Sequence, residues 1–321
     1  MQASLRNIIA SRIGQEKFSP VRAEELTGIE EMDVLDLMAA ARLAVSSHGV
    51  KPFTCGILNV KSGQCSEDCV FCAQSGHYNT NVNSYPLLTT QEILDRVERL
   101  RSFNLKYLGL VTSGASLTRG EFTQLLESLK ALKARFNAKI CASLGHIDAE
   151  MGAELKAIGL TSYHHNLEGS PGFFDKICST HSQEGRIDTV KKARESGLRV
   201  CSGGIFGLGE TWQDRLEFAA VLAELDVDAI PINFLRPVAG TPAGERSPLP
   251  ARDALKIIAL FRLMNPSRDI HICGGRELTL GSLKGMVFAA GANGIMVGDY
   301  LTYPGSDYQS DQAEMEVLGL S

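Results

Sequence analysis

The stretch Phe53–Cys72, FTCGILNVKSGQCSEDCVFC, decides how the rest of the chain is read. Its first part, Phe53–Val60, is a short run with Phe53, Thr54, Ile57 and Val60, the composition of a strand. A polar loop follows and carries Cys65, Cys69 and Cys72. Three thiolates on one short loop can wrap one corner of an iron–sulfur cubane and leave its fourth iron without a protein ligand. An iron left open in this way is a binding site for a small molecule. Zinc is the alternative occupant, but a structural zinc takes four ligands, usually from two C-x2–4-C pairs. No second such pair exists in the chain.

Beyond this loop the strand pattern repeats. The strand candidates are Phe53–Val60, Lys106–Val111, Lys139–Leu144, Leu160–Asn166, Leu198–Gly203, Ala229–Leu235, Ile270–Gly274 and Gly294–Val297. Amphipathic helical segments lie between them, including Thr90–Arg101, Phe122–Phe136, Gln183–Ser196 and Trp212–Leu225. Thr89 followed by Glu92 predicts a capping box on the first of these. Eight strand–helix units without a Pro/Ser-rich linker predict an α/β fold, a (β/α)8 TIM-type barrel over residues 51–321 with a C-terminal segment. A doubly wound open sheet would give the same alternation. Residues 1–50 read as an N-terminal helical extension, with Leu5, Ile8, Ile9 and Ile13, then Met32, Leu35, Met38 and Ala39, at helical spacing. In a barrel, the loop after the first strand sits at the C-terminal face, where barrel enzymes place their chemistry.

Composition narrows the function classes. The 321 residues are 44% hydrophobic and 21% charged, ordinary for a globular enzyme. A net charge of −5 without a Lys/Arg run argues against a nucleic-acid surface. No apolar stretch approaches the ~18 residues of a membrane span, and the N-terminus lacks the apolar core of a signal peptide. The cytoplasm is therefore the expected location. Eight cysteines in such a chain point to metal ligands more than to disulfides.

Cys65-x3-Cys69-x-Phe71-Cys72 resembles the signature loop of the radical S-adenosylmethionine (SAM) superfamily. The resemblance implies that SAM binds the open iron of a [4Fe–4S] cluster and is cleaved to methionine and a 5′-deoxyadenosyl radical. Five further segments resemble biotin synthases: KSGQCSEDCVFCAQSGHY (61–78), YHHNLEGSP (163–171), VCSGGIFGLGET (200–211), PINFLRPVAGTP (231–242) and GGRE (274–277). That family inserts sulfur between two unactivated carbons of dethiobiotin, drawing it from a second, sacrificial cluster. The resemblance also implies a small-protein electron donor and a homodimer.

Residue by residue, the resemblance implies that Asn166 and Glu168 bind the ribose hydroxyls of SAM and that Arg186 pairs with its methionine carboxylate, a planar partner suited to guanidinium. Ser113 and Gly114 would meet its amino end, and the GIFGLGE stretch (204–210) its adenine. Asn233, His164 and Thr302 would face dethiobiotin. Taken singly, each of these residues is more often an ordinary surface group. The GIFGLGE stretch lacks the order of a dinucleotide fingerprint.

Four more cysteines, Cys55, Cys141, Cys201 and Cys273, fall on candidate strands one, three, five and seven. Barrel interiors are filled in layers contributed by alternate strands, so these thiols could converge in the lumen. Each could equally be a small buried hydrophobe, and Cys178, between motifs, reads as a spectator without a partner. The best-known biotin synthase pattern holds an auxiliary [2Fe–2S] cluster by three cysteines and an arginine. Cys141, Cys201 and Arg276 match three of these. The strand-two cysteine is replaced near Leu108, Cys55 and Cys273 are additional, and His164 stands where asparagine is usual. Four soft donors suit a four-iron cubane better than the smaller cluster. Competing readings are a hydrogenase-cofactor maturase, a methylornithine synthase, a non-catalytic iron–sulfur electron carrier and a zinc enzyme.

Overall fold

β1 (Phe53–Lys61) is the first of nine parallel strands in a computed structural model that describes residues 3–12, 15 and 17–320. The others are β2 (Tyr107–Thr112), β3 (Lys139–Ser143), β4 (Ser162–His164), β5 (Arg199–Cys201), β6 (Gly204–Phe206), β7 (Ala229–Phe234), β8 (Asp269–Ile272) and β9 (Gly294–Met296). They run in the order β5-β4-β3-β2-β1-β9-β8-β7-β6, and a β5–β7 pairing through Cys201 and Ala229 closes the ring. Closure excludes the doubly wound open sheet.

β5 and β6 are one barrel strand interrupted at Ser202 and Gly203, so the barrel has eight strand positions. The interruption has a local cause. Pro231 in β7 has no N–H to offer its neighbour. Gly203 fits closely over it: a Cβ there would lie 2.0 Å from the Pro231 carbonyl oxygen. The Ser202 hydroxyl turns aside and donates to the His165 carbonyl at 2.7 Å.

Helices cover the outside. The Thr89–Glu92 capping box forms: the Thr89 N–H donates to the Glu92 carboxylate at 2.8 Å, starting the helix Thr90–Glu98. The helices Arg119–Arg135, Gln183–Glu195 and Trp212–Glu224 fall where amphipathic spacing places them. The helix Ala251–Met264 is buried from Ala254 to its end, Lys256 and Arg262 included, because the extension covers its outer side. There the helix Val34–His48 packs against it, burying Leu37, Met38, Ala41, Ala44 and Val45. That stripe differs from the expected one. Met32 and Met38 are buried as anticipated, but Leu35 is 64% exposed and Ala39 is also exposed. Asp33, not an earlier residue, caps this helix, and the 3₁₀ turn ending at Glu31 shifts the phase that Met32 suggested. Leu5, Ile8 and Ile9 join the same core, while Ile13 lies outside the described residues.

Candidate active site

A cavity of about 400 Å³ fills the lumen and opens at the C-terminal face. Its rim is built first by sequence. After β1 the chain turns back on itself, with the Cys65 N–H donating to the Gln74 carbonyl at 3.0 Å and the Cys72 N–H to that of Cys69 at 3.0 Å. The Gln74 side-chain oxygen accepts from Asn59 Nδ2 and Ser62 Oγ, both at 3.1 Å, pinning the loop to the strand. Val70 donates to the Ile177 carbonyl at 2.9 Å, and the Asp68 carboxylate accepts from the Ser179 N–H at 2.8 Å. The Ser179 hydroxyl above all holds the Asp68 carboxyl far below its ordinary range. The loop is therefore fixed at both ends before any ligand arrives.

All three rim thiols face the cavity. Burial pushes the Cys72 thiol up to about 11, and the Cys65 thiol beside it adds to the rise. Cys69 is raised too, by its contact with the Cys178 thiol first and by burial second. Thiols that oppose one another's ionisation are a donor set waiting for positive charge, which fits an iron–sulfur cluster. Phe71 lies on the same loop and lines the cavity. Cys178 is not the partnerless residue its position in the sequence suggested. It is buried, with Sγ, Cys69 Sγ and a nitrogen of His181 all within 4.8 Å of one another.

Next to the rim, Arg186 donates from Nε to His181 Nε2 at 2.7 Å and from Nη1 to the Asn166 carbonyl at 2.8 Å. Glu168 stands 3.9 Å from the same guanidinium and takes a 3.4 Å bond from Asn166 Nδ2. Burial raises the Glu168 carboxyl, and Arg186 works against that rise. Glu168 has φ 68°, a left-handed backbone uncommon for its type and often found where function holds a residue in place. Ser113, whose hydroxyl donates to the Gly63 carbonyl at 2.7 Å, and Gly114 complete this side.

Deeper in the lumen, β-register gathers the remaining thiols. Gly294 pairs with both Phe53 and His271, which brings His271 and Cys273 level with Phe53 and Cys55. Cys141 pairs with Ser162, and His164 with Cys201. Cys55, Cys141, Cys201 and Cys273 all line the cavity, on four alternate barrel strands as the spacing predicts. Cys273 beside it holds the Cys55 thiol below its ordinary range, with His271 adding to the effect. Although burial opposes it, His164 and His271 bring Cys201 down to about 6. Asn233 Oδ1 accepts from the Gly274 N–H at 3.0 Å and Nδ2 donates to the Gly204 carbonyl at 3.2 Å. One amide hydrogen of Asn233 is then left for the cavity, which Thr302 lines as well.

Two placements differ from the sequence expectation. Arg276 is not among the cavity-lining residues. Its guanidinium is 1% exposed and donates to Asp311 Oδ2 at 2.8 Å and to Ser306 Oγ at 3.0 Å, so it ties the helix Tyr308–Val317 to the barrel. Leu108 faces outward into the core, because neighbours on a strand alternate. The residue of β2 that faces the lumen beside Cys55 is Tyr107. Sequence reasoning also passed over His271, Arg199 and His181. The spacing of His271 and Cys273, two residues apart on one strand and so on one face, was the available signal for the first.

A radical SAM superfamily model matches residues 59–222. With the thiol loop on the rim of a closed parallel barrel, this makes the chain a radical SAM enzyme. A Biotin and Thiamin Synthesis associated domain model matches residues 231–321. Biotin synthase of Nitratidesulfovibrio vulgaris (strain Miyazaki F) is 45% identical over 97% of this chain and 89% of its own length. That of Syntrophus aciditrophicus is 44% identical over 95% of both chains. The chain belongs to the biotin synthase family, and with it come a [4Fe–4S] cluster, SAM and an expected auxiliary iron–sulfur cluster. The fold is shared more widely. Methylornithine synthase (PylB) superposes with TM-score 0.82 at 19% identity, covering 99% of this chain and 97% of that one. The hydrogenase maturase HydG of Carboxydothermus hydrogenoformans superposes with TM-score 0.80 at 17% identity, covering 98% and 77%. Among the described residues, no helix is long and apolar enough to cross a membrane.

Proposed function

We propose that this chain closes the thiolane ring of biotin by inserting sulfur into dethiobiotin in the lumen, with Cys65, Cys69 and Cys72 holding the [4Fe–4S] cluster and an auxiliary cluster held from among Cys55, Cys141, Cys201 and Cys273. One observation carries this reading: a single cavity joins two separate thiol sets, one on the rim loop and one on the strands. An electron carrier needs only one such set at its surface. When bound, the rim cluster supplies the electron that cleaves SAM and the auxiliary cluster supplies sulfur.

The chain's own residues position the reactants. Arg186 sits where it can take the methionine carboxylate, with His181 and the Asn166 carbonyl fixing its plane. Asn166 and Glu168 offer acceptors and donors for the ribose, and Ser113 and Gly114 those for the amino end. The free amide hydrogen of Asn233 suits the carbonyl of a cyclic urea, and His164 and Thr302 line the same space. Walls such as Ile57, Val111 and Met296 exclude water from carbon centres that must lose hydrogen. Arg276, whose charge is felt at Cys273, contributes by holding the helix Tyr308–Val317 to the barrel. A cytoplasmic homodimer served by a small-protein electron donor completes the proposal.

The test is anaerobic incubation of the reconstituted protein with dethiobiotin, SAM and a reductant, followed by mass spectrometry. Biotin is the expected product. SAM cleavage without any sulfur-containing product would overturn the reading.

A further inference from the structure

His271 has no role in the reading above, yet it stands among the thiols of the lumen. It is 6% exposed, lies on β8 two residues before Cys273, and lines the cavity. Its ring makes side-chain contact with both Cys55 and Cys201. Phe53 flanks it, with ring centroids 5.5 Å apart. Its Nδ1 is buried and has no hydrogen-bond partner.

An unpartnered ring nitrogen is costly in an interior, where buried polar groups are otherwise satisfied. Either a water or a metal ion can satisfy such a nitrogen, and the surrounding donors decide between them. Sulfur accepts hydrogen bonds weakly, whereas an imidazole nitrogen beside thiolates is an established donor set for iron. The other lumen histidines present different surroundings. His165 Nε2 is also unpartnered, but the cationic Arg186 lies near it and opposes a metal ion there. His164 also lies near Cys201 and Cys55, but only His271 of the two has a buried ring nitrogen left without a partner.

We infer that His271 is a direct ligand of the auxiliary cluster, placing one neutral nitrogen donor beside the thiolates of Cys55 and Cys201. This rests on the proposal that such a cluster occupies the lumen. Four thiols and one imidazole exceed the four external corners of a cubane, so at least one of the four cysteines then stands off the metal. A neutral imidazole in place of a thiolate leaves the site less negative, and histidine ligation raises the potential of an iron–sulfur centre. The two donor sets of the cavity would then differ in kind: three thiolates on the rim, and thiolates with a nitrogen below.

The full chain is prepared anaerobically with both clusters and with 15N-labelled histidine, and its reduced state is examined by electron–nuclear double resonance. Iron is counted in the same samples. About eight irons per chain and a strong 15N coupling are expected in the unsubstituted protein, on the count of two cubanes. The coupling should vanish in His271→Gln, persist in His164→Gln, and leave 5′-deoxyadenosine formation in His271→Gln in place. Two clusters without 15N coupling, or a coupling that survives in His271→Gln, would overturn the ligand assignment alone. Only about four irons, all lost in Cys65→Ala/Cys69→Ala/Cys72→Ala, would overturn the auxiliary cluster together with the inference. Where His271→Gln fails to fold, absence of coupling in the labelled unsubstituted protein, or loss of the coupling in His164→Gln, would still overturn the assignment.

Discussion

Cys65, Cys69 and Cys72 fall within one loop of eight residues, whereas Cys55, Cys141, Cys201 and Cys273 come from four strands across most of the chain. The first set is held by local hydrogen bonds, Cys65 to Gln74 and Cys72 to Cys69, within a loop pinned by Gln74 and Asp68. The second exists only when the barrel closes and the register of β1, β9 and β8 brings Cys273 level with Cys55. The two sets also differ in surroundings. The rim has Arg186, a carboxylate and amides for a polar ligand, while the lumen thiols have His164, His271 and Arg199 among apolar walls. A local loop can therefore be shared by many chemistries, and the residues that set one chemistry apart are those that depend on the whole fold.

The largest expected effect separates the two regions at once. Replacing Cys65, Cys69 or Cys72 by Ala should reduce 5′-deoxyadenosine formation below detection and remove about four irons per chain, since each corner of the cubane needs its thiolate. Iron analysis and product chromatography under reducing, anaerobic conditions check this. Normal SAM cleavage by all three variants would dissolve the distinction.

Cys201→Ala and Cys55→Ala should behave differently. Biotin formation is expected to fail while abortive SAM cleavage continues, and Mössbauer spectra should lose the auxiliary component alone. A variant that makes biotin at the parent rate would show that its thiol only fills space. A spectrum with a [2Fe–2S] auxiliary site would correct the four-iron expectation.

A third experiment sharpens the boundary of the lumen. Arg276→Ala leaves the buried Asp311 carboxylate without its main partner. The expected cost is about 3–5 kcal/mol, the range for breaking one side of a buried pair. It would appear as a lower urea midpoint for the cluster-free chain. Unchanged stability with loss of the auxiliary spectrum would instead return Arg276 to the cluster.

The smallest effect concerns the support of the rim. Lys61, at the end of β1, donates to Glu121 at 2.6 Å, and both side chains are about a quarter exposed. Burial raises the Glu121 carboxyl, but Lys61 and the Thr118 backbone outweigh that and hold it below its ordinary range. A depressed carboxyl stabilises the fold above its ordinary range and loses that contribution as pH falls through its folded value. Lys61→Met should therefore flatten the acid limb of the stability curve by under ~1 kcal/mol, the scale of a partly exposed pair. Urea midpoints between pH 3 and pH 6 would show it, with rim-cluster content unchanged.

The sequence determined the rim loop, the eight-strand alternation, the Thr89 cap and the strands that carry the four other cysteines. All of these rest on short-range rules: residue spacing, periodicity and turn chemistry. Closure, the break at Gly203 over Pro231, and the outward face of Leu108 were decided by tertiary structure. They depend on which strand lies beside which, and a shift of one residue reverses the face of every side chain. The partners of Cys178, the capture of Arg276 by Asp311 and the gathering of His271 with Cys55 and Cys201 were settled in the same way. Each joins residues distant in the chain, and no local pattern encodes a contact that only the closed barrel creates.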